Sequence, residues 1–64
     1  MIIHLVSELK LGKFVNVSEN GHTLFEGFVN EEGETMVQIL TENGPEYLHQ
    51  SSLDENKVTV TVGD

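Results

Sequence analysis

Phe14-Val15-Asn16-Val17-Ser18-Glu19-Asn20-Gly21-His22-Thr23-Leu24-Phe25-Glu26-Gly27-Phe28-Val29 is the stretch that decides the fold. Two runs rich in β-branched and aromatic residues flank Asn20-Gly21. Asparagine and glycine both tolerate positive φ, which a type I′ turn demands at its two central positions, so the segment predicts a β-hairpin. In the second strand Leu24 and Phe28 fall on one face, Phe25 and Val29 on the other. One pair can join a core and the other needs a second layer or a partner, which hints at a barrel, a dimer or a heterologous interface. Gly27 inside that strand points to a bulge or to close approach of another backbone.

Outward from the hairpin, Lys57-Val58-Thr59-Val60-Thr61-Val62 alternates strictly. It reads as a half-buried strand with Val58, Val60 and Val62 inward and Thr59 and Thr61 outward. Thr35 to Thr41 is a further strand, and Asn43-Gly44-Pro45 is a turn signal. Proline lacks the N–H a central ladder requires, so Glu46 to Gln50 reads as an edge strand or a helical turn. Ser51 to Asn56 reads as a loop. At the N-terminus Ile2, Leu5, Val6 and Leu9 fit a helical face, whereas Ile3, Leu5, Leu9 and Leu11 fit a strand. Ser7 is placed to cap a short turn starting at Glu8. The expectation is one domain over residues 1–64, mainly β: a small antiparallel curved sheet of four or five strands or an open barrel, with a short N-terminal helical turn as an option.

Sixty-four residues allow one domain with a thin stability margin. Eleven acids face three lysines, a formal charge of -8. Residues 1–29 hold Glu8, Glu19 and Glu26 against Lys10 and Lys13, a net of -1; the remainder holds eight acids against Lys57, a net of -7. Such a surface repels phosphate backbones and anionic lipid, so no direct nucleic-acid or membrane binding is expected. No apolar run approaches the length that spans a bilayer, and Met1 to Val6 has no basic flank or cleavage site of a secretory signal, so the cytoplasm is the expected compartment. With no secretory signal, the sequon Asn16-Val17-Ser18 carries no weight.

Chemistry finds little to stand on. There is no cysteine, which removes thiol catalysis and cysteine-ligated metal sites. His4, His22 and His49 match no zinc spacing. Asn30-Glu31-Glu32-Gly33-Glu34 lacks the alternating ligands and the distal glutamate of an EF-hand loop. No Gly-x-Ser-x-Gly elbow, Gly-rich phosphate loop or arginine is present, and so short a chain has little room for a core and a substrate pocket together. The expectation is a non-enzymatic chain with no cofactor and no metal.

Val6-Ser7-Glu8-Leu9, Val15-Asn16-Val17-Ser18-Glu19-Asn20-Gly21, Leu24-Phe25-Glu26-Gly27 and the closing Lys57 to Val62 together resemble small acidic proteins encoded in phages and prophages of Gram-positive bacteria. The resemblance covers about half the chain, and Asn30 to Asn56 is longer and more acidic than the pattern. Most such proteins have no assigned activity, so it implies a setting, the cytoplasm of a bacterial host, rather than a mechanism.

Two functions fit that setting. In the first, the chain is an accessory protein that binds another protein with a basic surface and inhibits it. Its contacts would be Glu31, Glu32, Glu34, Glu42, Glu46, Asp54 and Glu55, with Tyr47 as aromatic anchor. In the alternative, it is a structural or assembly accessory that self-associates, as a homodimer for instance, through Leu24, Phe28 and Met36. Salt separates the two, because charge-led binding weakens with ionic strength and apolar association does not.

Overall fold

The computed structural model describes residues 1–63. The hairpin forms as its sequence dictates. Strand β2 (Phe14–Glu19) and strand β3 (His22–Glu31) are joined by Asn20 and Gly21 at φ of 51° and 82°, both in the left-handed region the I′ turn needs. The other elements are β1 (Ile2–Ile3), a 3-10 turn (Val6–Glu8), β4 (Met36–Thr41), β5 (Gly44–His49), helix α1 (Gln50–Asp54) and β6 (Thr59–Gly63). All six strands lie in one antiparallel sheet in the order β1-β6-β2-β3-β4-β5. The fold is therefore mainly β and open, not closed into a barrel. Its strand count exceeds expectation because the two-residue β1 pairs with β6.

Alternation sorts the two faces. Ile3, Val15, Val17, Val29, Val37, Ile39, Leu48 and Val60 are buried on the inner face, with Val6 and Leu9 from the 3-10 segment packed on them. Phe25, Leu53, Val58 and Val62 lie at the margin of that core. Of the alternating C-terminal run, Val60 is fully buried and Thr59 exposed, while Val58, Thr61 and Val62 are half-buried near the sheet's edge.

Two local expectations, at Ser7 and at Ser51 to Asn56, are corrected, and one of the two readings of Gly27 is chosen. Gly27 does not carry a bulge: the register slips at Leu24, between the Val17–Phe25 and Ser18–Thr23 pairs, and at Asn30, between the Val29–Ile39 and Glu31–Gln38 pairs. What Gly27 does provide is close approach, because a Cβ there would collide with the carbonyl of Leu40. Ser7 caps nothing; it sits within the turn, whose start at Leu5 has no side-chain cap. Ser51 to Asn56 is not a plain loop. It contains most of α1, closed by Asn56 at φ 56°, with Lys57 N–H donating to Ser52 O (3.0 Å) and Asn56 N–H to Leu53 O (3.1 Å). That pair of bonds is the Schellman arrangement, and asparagine is one of the few side chains that enters its left-handed position readily.

Pro45 sits in β5, an edge strand, opposite Leu40. In the two-residue Glu42-Asn43 hairpin that pair faces without mutual hydrogen bonds, so the missing N–H costs the ladder nothing.

Gln50 joins the two ends of the sheet. Its Oε1 accepts from Val6 N–H (2.8 Å), its Nε2 donates to His4 O (2.8 Å) and to Asp54 Oδ1 (3.0 Å), and its backbone N–H donates to Thr35 O (2.8 Å). One side chain thus ties the segment after β1 to the end of β5, where no ladder connects the two edges.

Candidate protein-binding face

The outer face carries the exposed counterpart of the same alternation. The ladders align Phe14 with Phe28, Phe28 with Leu40 and Leu40 with Pro45, a single apolar row across four strands. Phe14, Phe28 and Leu40 are 36, 56 and 47% exposed. The rings of Phe14 and Phe28 meet edge-on with centroids 5.2 Å apart. A lone exposed apolar side chain is ordinary on a soluble protein; three in contact range on one strip of sheet are a surface suited to being covered.

Polar side chains frame the row, held by one another. On one side Asn30 Nδ2 donates to Gln38 Oε1 (2.6 Å) and Gln38 Nε2 to Tyr47 Oη (3.0 Å). On the other, Asn16 Nδ2 donates to Thr23 Oγ1 (3.0 Å) and to Glu26 Oε1 (2.9 Å). These chains cross neighbouring strands and reduce the side-chain freedom that docking would otherwise have to remove.

Beside the row lie two shallow depressions. The larger, about 430 Å³, is lined by Phe14, Phe28, Leu40, Gly27, Glu26 and Glu42 together with Thr41. The second, about 260 Å³, shares Glu26, Thr41 and Glu42 and continues past Leu24 and Phe25 to Asn43 and Glu46. Among the described residues none of Glu26, Glu42 and Glu46 is in an ion pair.

The acids expected to contact a partner do not converge. Glu42 and Glu46 come together, joined by Glu26, which was not among them. Glu31, Glu32 and Glu34 lie at the opposite end of β3 and β4, around their connection. There Glu32 accepts from Leu11 N–H (3.0 Å) and lies 4.0 Å from the Lys10 ammonium. Asp54 accepts from Gln50 inside α1, and Glu55 pairs with Lys57 at 3.0 Å. Tyr47 stands on the outer face, fixed by Gln38. The apolar trio is likewise dispersed. Phe28 belongs to the row, but Leu24 and Met36 are each four positions along their strands from it, roughly 13 Å from their row members, with Glu26 and Gln38 between.

Phe14 and Leu40 are not among the contacts the sequence singles out. The signal for Leu40 is in the sequence, since Val37 and Ile39 inward sends Met36, Gln38 and Leu40 outward. The signal for Phe14 is not, because only the bulge at Leu24 moves its partner from Gly27 to Phe28.

His4 lies in the bend after β1, His22 in β3 and His49 in β5, and the described residues contain no group of three or more His, Asp or Glu arranged to hold a metal ion. No helix among them is long and apolar enough to cross a membrane. No family model matches the chain, and neither a curated protein nor a solved structure matches it significantly.

Proposed function

We propose that this chain is a small acidic accessory protein that acts without chemistry of its own, by binding another protein through the outer face of its sheet. The observation that carries this is the Phe14–Phe28–Leu40 row with Glu26 and Glu42, neither in an ion pair among the described residues, along its flank. An apolar strip supplies contact energy and the acids choose a partner with a basic surface, steering the encounter at low ionic strength. In the phage or prophage setting that the sequence resembles, the partner is a bacterial cytoplasmic protein whose basic groove the chain blocks. The resident charge of -8 speaks against nucleic acid or anionic lipid in its place.

The row also favours a second reading, self-association with Phe28 at its centre. The like charges along the flank oppose it, because two copies laid face to face bring these acids into one interface. The test is affinity capture from a bacterial lysate with the wild-type chain and with Phe28→Asp, at low and high salt. Under the proposal a protein is retained by the wild type, released by salt and lost with the variant. Capture indifferent to Phe28, or a partner that is a second copy of the chain, overturns it.

A further inference from the structure

Strand β3 is longer than its partner on one side. Its ladder with β4 runs only from Phe28–Leu40 to Glu31–Gln38, whereas its ladder with β2 continues to Glu19–His22. His22 to Glu26 therefore have a strand on one side and none on the other. No turn or loop backbone hydrogen bond reaches them among the described residues. This open edge faces the tip of the β4–β5 hairpin, and the smaller depression lies between the two, lined by Thr23, Leu24, Phe25 and Glu26 on one wall and by Glu42, Asn43 and Glu46 on the other.

We infer that this edge is where the partner docks: an extended segment of another protein, apolar residues alternating with lysine or arginine, adds as a strand beside His22–Glu26. This deepens the binding function proposed above and rests on it. Strand addition supplies affinity through backbone hydrogen bonds and specificity through pockets for alternate side chains. The site offers both kinds of pocket. The larger depression takes an apolar side chain on the outer face against Phe14, Phe28 and Leu40, while the alternate cation on the inner side meets Glu46, which stands opposite Ile39, with Glu42 at the hairpin tip beside it. Charge complementarity selects this occupant over a second copy, whose own edge would bring three more carboxylates. The same acids that guard an exposed edge against pairing with itself thus admit a basic strand.

The test uses the isotope-labelled full chain and a short synthetic peptide of alternating valine and lysine, followed by amide chemical shifts and hydrogen exchange. Expected are shifts confined to His22–Phe28 and Thr41–Glu46, with slowed exchange of amides between Thr23 and Glu26. The effect should vanish with the matching valine–glutamate peptide and with a peptide whose central residue is proline. In the double variant Glu42→Lys, Glu46→Lys, whose remaining spectrum reports its folding, affinity should fall roughly tenfold or more. No shift at millimolar peptide, shifts centred on the β5 edge at Tyr47 and His49, or slow tumbling from self-association before peptide is added would each overturn the inference. If Phe28-dependent, salt-sensitive capture persists while the peptide leaves β3 untouched, strand addition falls and the binding function stands.

Discussion

Replacing Gln50 with alanine isolates the side chain that fastens the N-terminal segment across the open side of the sheet. Three hydrogen bonds go with it, to Val6 N–H, His4 O and Asp54 Oδ1. The His4 and Asp54 contacts are exposed and contribute little. The Val6 bond is part-buried, and Val6 itself is fully buried. A net hydrogen bond is worth about 1 kcal/mol, and a buried N–H left without a partner costs about 1–3 kcal/mol. The loss expected is about 1–3 kcal/mol, centred near 2. For a domain of this size that is a large share of a total of about 3–5 kcal/mol. A loss of 2 kcal/mol corresponds to a fall in Tm of roughly 8–16 °C. Urea titration followed by circular dichroism should show a lower midpoint at an unchanged slope, since the surface exposed on unfolding is the same. Gln50→Glu is the companion variant. It keeps an acceptor for Val6 but sets a carboxylate against His4 O and Asp54, both acceptors, so it should be at least as destabilising near neutral pH. A Gln50→Ala midpoint equal to that of the wild type would refute the reasoning and show that the 3-10 segment holds to the core by Val6 and Leu9 alone.

Other substitutions probe other links. Gly27→Ala sets a methyl group against the Leu40 carbonyl and should cost about 1–3 kcal/mol, read by thermal unfolding; a neutral result would mean that β3 and β4 do not approach as described. At Asn56, alanine should destabilise by about 1 kcal/mol and glycine by none, since only the former suffers in the left-handed helix cap. Urea midpoints of the two variants decide it. Phe28→Asp loses an edge contact with Phe14 worth about 0.5–1.5 kcal/mol yet should remain folded, while partner capture disappears; retention of capture would detach function from the apolar row.

Legibility in the sequence followed the range of the interactions. The β2–β3 hairpin and the inward valines were readable because Asn20-Gly21 and a two-residue alternation are local signals. Pro45 likewise narrowed Glu46 to Gln50 to an edge strand or a helical turn, and the edge strand β5 (Gly44–His49) is what forms, the turn itself falling at Glu42-Asn43. Helix α1 was not readable, because Ser51, Ser52 and Asp54 favour loops when taken alone, and what makes a helix of them is Asn56 closing the end and Gln50 fastening the start. The apolar row needed non-local registers. A bulge at Leu24 brings Phe14 beside Phe28, and a two-residue β4–β5 link brings Leu40 beside Pro45; neither is visible in the alternation of a single strand. The acids illustrate the converse. Their number was plain, but which of them share a surface depends on strand order, which gathers Glu26, Glu42 and Glu46 and sends Glu31, Glu32 and Glu34 to the other end.

The central claim, that the outer face serves a basic partner rather than a second copy, is tested most directly by the molar mass in solution. Light scattering on the purified chain, at about 50 mM and about 500 mM salt to change the screening length severalfold, should return the monomer mass of 7.1 kDa in both. The like charges resist pairing at low salt, and the exposed row is too small to hold a dimer once they are screened. A stable dimer that persists or strengthens at high salt would contradict the account and assign Phe14, Phe28 and Leu40 to self-assembly.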